Sequence, residues 1–249
     1  MSDQGGKLIA DGELTQQLKG DRLVVHAVWR FADGRVSEED DQLRMKPELQ
    51  QESFRWVDRQ GKTELRRIEV DFRTGRATVA RLQDGKRETW DEKLDLPAGK
   101  SFTGYSTALA VSQLRDALEN EGSRSELTFV AFTPKPRTVS LEISRKQDAR
   151  VRVAGRDLAA DVFTLHPKIP FPLSLFAGAK DAHLWFTHAP PPALLRAEQS
   201  LVEKDDPVIL IDVIPRGSAL SRPAARRAKG QRQVNAARAA APEKHAPVK

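Results

Sequence analysis

The side chains best suited to acid–base or metal chemistry at neutral pH are five histidines. Their spacing disperses them. His183 and His188 flank Trp185, and a separation of five along a strand sends the two rings to opposite faces, so a shared metal is not expected. His166 precedes Pro167 at a strand end and reads as a separate edge histidine, although it could meet His183 in space. His26 falls on a polar strand face, and His245 lies in a basic C-terminal stretch. The serines from Ser101 to Ser106 lack a Gly-x-Ser-x-Gly elbow. Gly99-Lys100-Ser101 has the end of a phosphate loop, but position 94 is Leu94 where the upstream glycine would stand. The acidic run Glu38, Glu39, Asp40 and Asp41 has no turning glycine of a calcium loop and reads as a solvated hairpin or strand edge. There is no cysteine, which excludes thiolate nucleophiles, disulfides, Cys-zinc sites and a lipid-bearing Cys. No catalytic residue, metal set or cofactor site is assigned, and a non-enzymatic protein is expected.

What remains is apolar. Trp29, Phe31, Phe54, Trp56, Phe72, Tyr105, Phe129 and Trp185 lie on or near strand faces, with Phe102 and Phe163 beside them. Leu114 and Leu118 join them from a helical stripe. Each is read as ordinary core or as the wall of an apolar cavity.

The elements that must carry these residues alternate with a period of two. Leu23, Val25, Ala27, Trp29 and Phe31 share one face, and Val139, Leu141 and Ile143 alternate with Thr138, Ser140, Glu142 and Ser144. This is the pattern of an antiparallel strand wet on one side. Asp33-Gly34, Gln60-Gly61, Thr74-Gly75 and Asp84-Gly85 separate such segments at hairpin spacing. Strands are expected at 12–18, 23–31, 36–45, 52–58, 63–72, 76–83 and 86–92. Others follow at 126–133, 137–146, 150–154, 157–166, 182–188, 194–203 and 207–214. Pro167, Pro170 and Pro172 break the chain after His166, and Pro190 to Pro192 break it again. Only residues 106–121 change period: Thr107, Val111, Leu114 and Leu118 form a stripe, with Gly122 as its stop.

So many strands cannot lie in one flat sheet. The expected fold is mainly β: a curved antiparallel meander or half-open β-barrel, with the one amphipathic helix packed on its concave face. The expected organisation is a flexible N-terminus over 1–11, one β-rich domain over 12–215, and a disordered tail over 216–249. The tail carries nine basic and one acidic side chain, a net of +8, which leaves 32 basic and 34 acidic groups elsewhere. The folded part is thus close to neutral, which argues against a nucleic-acid-binding domain. Ten alanines and no aromatic residue give the tail nothing to bury. Its expected partners are weak electrostatic ones, an anionic membrane or a nucleic acid. No stretch approaches the roughly 20 apolar residues of a membrane span. The N-terminus reads as lacking an export leader.

Residues 127–214 also carry a resemblance. Its words are Phe129-Val130-Ala131-Phe132, Pro134-Lys135-Pro136-Arg137, Val151-Arg152-Val153-Ala154-Gly155, Phe163-Thr164-Leu165-His166-Pro167-Lys168, Leu184-Trp185-Phe186 and Pro207-Val208-Ile209-Leu210-Ile211. Across about 12–215 the chain resembles uncharacterised bacterial envelope β-domains of unknown function. Their layout is similar to the half-barrel carriers that sort lipoproteins between membranes. The resemblance implies a periplasmic or envelope location, against the cytoplasm suggested by the missing leader, and no catalytic residue. Two functions follow as expectations. One is a non-catalytic protein holding a lipid or other apolar small molecule in the concave sheet. The other is a fully packed structural or protein-interaction module. An unrecognised enzyme and a tail-mediated nucleic-acid binder rank below them.

Overall fold

The computed structural model describes residues 1–120, 122–168, 180–200 and 208–216. The expected strand ends at 201–203 and 207, and the tail beyond Arg216, lie outside these. Fifteen strands flank one helix among the described residues. The first eight are β1 (Ser2–Asp3), β2 (Ala10–Lys19), β3 (Arg22–Phe31), β4 (Arg35–Arg44), β5 (Gln50–Gln60), β6 (Thr63–Asp71), β7 (Arg76–Gln83) and β8 (Lys86–Lys93). Then come β9 (Ser101–Phe102), α1 (Tyr105–Gln113), β10 (Ser125–Phe132), β11 (Pro136–Val153), β12 (Arg156–Lys168), β13 (Ala182–Phe186), β14 (Leu194–Ser200) and β15 (Val208–Asp212).

Strands β2 to β8 form a seven-stranded antiparallel meander in chain order. The rest form an eight-stranded sheet ordered β1-β15-β14-β13-β12-β11-β10-β9, antiparallel except where β9 runs parallel to β10. The expected single curled sheet is therefore split in two, and among the described residues no ladder closes a barrel. The meander follows directly from its turns. The β7–β8 hairpin closes on Asp84-Gly85, both at positive φ (51° and 73°), the two-residue turn whose twist matches that of its strands.

The sheets face one another across a shared core. Leu23, Val25 and Leu43 come from the meander, Ile143, Phe163 and Leu184 from the other sheet, and Val111 and Leu118 from α1 and the turn after it. A second cluster joins Phe54, Val70 and Val79 of the meander to Val130, with Phe132 stacked on Phe54 at 6.0 Å. A third gathers Val151, Val153, Ala160 and Leu195.

Four boundaries differ from expectation. Residues 1–11 are not a loose end: β1 pairs with β15, the Met1 ammonium donates to the Ala10 carbonyl at 2.9 Å, and Ala10 opens β2. This anchoring runs through backbone, which side-chain pattern does not report. Strands 137–146 and 150–154 are one strand, β11, carried through a bulge between Lys146 and Ala149 with Asp148 at φ 54°. Strand β12 runs on through Pro167 to Lys168, past the reach of its neighbour β13, where a missing N–H is tolerated. The helix spans only Tyr105–Gln113, about 14 Å. Its ladder ends at the C-cap Leu114, whose N–H turns to the Val111 carbonyl three residues back at 3.0 Å; just beyond, the Arg115 carbonyl accepts from the Arg145 guanidinium at 2.9 Å.

Candidate functional site

The ten expected cavity-lining residues do not meet at one wall. Leu118 is in the shared core, with Tyr105, Leu114 and Phe129 at its margin. Phe54 and Phe72 are buried in the second cluster with Trp56 beside them, and Trp185 edges the third. Phe31 stacks under the Arg35 guanidinium, 3.9 Å from its ring centre. Trp29 lies flat over Gly12 on the neighbouring strand, where any Cβ would collide with the indole. Packing divides them because two facing sheets with a helix between them fill the space that one curled sheet would have left open.

The four described histidines stay apart, three of them beside a carboxylate. His26 Nδ1 lies 2.7 Å from Asp40, and His166 Nδ1 lies 2.7 Å from Asp181. His188 lies 3.1 Å from the buried Asp161, which also pairs with Arg145 at 2.8 Å and Arg115 at 3.3 Å. His183 packs against Trp185. Among the described residues, no three His, Asp or Glu side chains are grouped to hold a metal ion.

The acidic run is the correction of most consequence. Strand β4 alternates, so Glu38 and Asp40 face out while Ser37, Glu39, Asp41 and Leu43 face in. Glu39 is 5% exposed and Asp41 fully buried. The interior supplies their partners. The Tyr105 N–H donates to Glu39 Oε1 at 2.5 Å, so a carboxylate from a distant strand caps α1 where Gly104, at φ 57°, offers no side chain. The space over Gly104 is filled by Glu39 and Phe54, so no side chain fits there. Ser106 Oγ and Gln51 Nε2 each donate to Asp41 at 2.8 Å. Gln51 Oε1 in turn accepts from the Thr103 N–H at 2.8 Å.

Burial, then the neighbouring Glu39 charge, pushes the Asp41 carboxyl well above the usual carboxylate range. Burial also raises Glu39, opposed by the Tyr105 N–H. Burial thus holds both neighbouring carboxyls above the usual carboxylate range, Asp41 well above it. Nearby, burial pushes the Tyr105 hydroxyl up to about 12, and Gln16 Nε2 donates to it at 3.0 Å. The pair's oxygens are satisfied from within the protein. Their chemistry is to fix where the helix starts and how it docks on the meander.

Sequence reading missed Glu39, Asp41, Gln51 and Ser106. Alternation carried no clean signal: residues 37, 39 and 41 share a face with Leu43, but Val36 falls on the other face with Glu38 and Asp40. A recess of about 160 Å³ opens beyond Gln51, lined also by Arg44, Glu52, Phe72, Arg73 and Ser101. Engineered cavities of that size admit a molecule as large as benzene, well short of the roughly 300 Å³ where ordinary ligand pockets begin. Glu52 is buried there between Arg44 at 2.5 Å and Arg22 at 3.3 Å. Of the ten expected lining residues, Phe72 is the one that reaches this recess.

The two edges of the meander are unlike. In β8, six of eight residues are charged. Such charge is a guard against edge pairing. In β2 the central run Leu14-Thr15-Gln16-Gln17-Leu18 carries no charge and no proline, and its ladder to β3 runs without a bulge from Ala10 to Lys19. Among the described residues, no strand pairs with the outer edge of β2. Leu18 is 64% exposed there.

No family model matches the chain. No curated protein matches it either. Among solved structures it is similar to the crystal structure of a β-barrel-like protein of the domain of unknown function DUF1849 from Brucella abortus. That likeness is at 12% identity over 86% of this chain and 93% of that one, with a TM-score of 0.41.

Proposed function

We propose that this chain is a non-catalytic interaction module that works through its surface, and not an interior carrier of lipid. One observation carries the reading. The space between the sheets is occupied by α1 and by side chains from both sheets, with Phe102, Val111, Leu118 and Phe163 all at most 2% exposed. The recess beside Gln51 is too small and too polar for an acyl chain. The bacterial envelope is the proposed compartment, supported by the resemblance of residues 127–214; a tagged protein recovered in the cytoplasmic fraction would contradict it.

The test uses the tryptophans. Trp29, Trp56 and Trp185 are all half-buried, so each is sensitive to a ligand entering nearby. Titration with a long-chain fatty acid or a lysophospholipid is expected to give no saturable fluorescence change up to about 100 µM, where a useful carrier would already be filled. A saturable change, with lipid retained in native mass spectrometry, would overturn the packed reading and restore the carrier.

A further inference from the structure

The outer edge of β2 is complementary to itself. In antiparallel pairing across a twofold axis perpendicular to the sheet, residues of equal parity stand opposite one another, because side chains alternate with a period of two. With Gln16 on the axis, Glu13 faces Lys19 of the second copy, Leu14 faces Leu18, and Thr15 faces Gln17. Each of these three pairs occurs twice, and Gln16 meets its own copy once on the axis. The charges are opposite, and the exposed Leu18 is covered by an apolar partner. Gln16 lies on the same face as the buried Val25 opposite it and donates to Tyr105, so it already lies along the inner face of the sheet.

We infer that β2 pairs with β2 of a second copy of this chain in this register, joining two seven-stranded meanders into one continuous sheet. The backbone supplies the hydrogen bonds, and the Glu13–Lys19 and Leu14–Leu18 pairs set the register. The other edge cannot do the same, because β8 is studded with charge and its Glu92 is paired with Lys135 at 3.0 Å. One existing contact competes: Arg216 lies 2.7 Å from Glu13, but both are exposed, at 85% and 58%, and such a pair is weak. A single strand pairing is a small interface, so the dimer is a micromolar one. The inference rests on the surface being the working part of the molecule.

Sedimentation velocity on the full chain, from about 1 to 300 µM, tests it over the range where a micromolar dimer forms. A concentration-dependent dimer is expected. Glu13→Lys sets two lysines against two lysines, and is expected to weaken the dimer about tenfold or more. Leu18→Lys is expected to weaken it as well. The double variant Glu13→Lys with Lys19→Glu restores the opposed charges across the axis, but not the Arg216 contact, so recovery of the dimer isolates the β2–β2 pairing. All three positions are exposed, so thermal unfolding of the variants is expected to match that of the parent.

A monomer at every concentration overturns the inference. So does a dimer indifferent to Glu13→Lys, or one the double variant fails to restore. A monomer that also shows no saturable response to fatty acid removes the dimer and leaves the packed interaction module standing. A saturable response removes that module whatever the oligomeric state.

Discussion

The helix Tyr105–Gln113 meets two unlike walls. Toward the eight-stranded sheet and the shared core it offers Ala108, Ala110, Val111 and, one turn on, Leu118, against Ile143, Phe163 and Leu184. Toward β4 it offers its own first N–H and Ser106 Oγ, against Glu39 and Asp41. Apolar contact supplies most of the energy but little direction, since it scales with area and not with angle. Buried carboxyls with fixed donors do the reverse: their net contribution is modest, but a displaced helix would strand a charge or an N–H without a partner. The core wall holds the helix, and the acid wall says where it begins.

The largest effect should come from the core wall. Leu118→Ala removes a side chain only 2% exposed, at a cost of about 2–5 kcal/mol. In a chain of this size each kcal/mol lowers the melting temperature by roughly 2–4 °C. Leu114 sits at the C-cap and is half-buried, so Leu114→Ala should cost distinctly less. Equal losses at the two positions would mean that the helix continues past Leu114 as its sequence stripe suggests.

At the acid wall the effects should be smaller and local. Glu39→Ala leaves the Tyr105 N–H without its acceptor, at about 1–3 kcal/mol. Glu39→Gln keeps an acceptor oxygen and should lose less. Hydrogen exchange at the Tyr105 amide should accelerate in the alanine variant and stay slow in the glutamine one. Ser106→Ala removes one of the hydrogen bonds to Asp41 and should cost about 1 kcal/mol. If Glu39→Ala costs as much as Leu118→Ala, the two walls do not divide their work in this way.

The same contrast explains what was legible in the sequence. The core wall is written in alternation: Leu141 and Ile143 on β11, or Leu23 and Val25 on β3, name both strand and face. The meander was readable because five of its six hairpins have a glycine; the turn over 45–49, between β4 and β5, has none. The acid wall was not readable. Strand β4 holds just two aliphatic residues, Val36 and Leu43, which fall on opposite faces, so hydrophobic parity did not say which acids point inward. The partners that make burial tolerable, Tyr105 and Ser106, lie more than 60 positions away. The helix end was overrun because the stripe continues through Leu114 and Leu118, whereas the ladder is ended by a backbone bond, Leu114 N–H to the Val111 carbonyl, which side-chain pattern does not report. Strand β1 left no trace because it is held by backbone pairing to β15.

The smallest effect is a slope and not an offset. Burial and the adjacent Glu39 hold the Asp41 carboxyl well above its ordinary range, whereas in the unfolded chain an aspartate titrates near 3.9. The native state therefore binds this proton more tightly than the unfolded one. Below about pH 4 both states hold it, and the full contribution of Asp41 to stability is present. As pH rises toward and through the folded-state value, the unfolded chain releases the proton while the native state must keep it or bury a second charge, and stability is lost. Asp41→Asn cannot ionise, yet it keeps the shape of the side chain and one acceptor oxygen for its donors Ser106 and Gln51. The melting temperature of Asp41→Asn minus that of the parent should thus climb from acid toward neutral pH. Glu64 and Asp71, whose carboxyls are lowered by Arg67 and by the turn N–H groups of Thr74 and Arg73, push stability the other way with pH, but they are common to both proteins and cancel in the difference. A flat difference would mean that burial does not raise the Asp41 carboxyl in the native state, and a falling one that the folded protein lowers it.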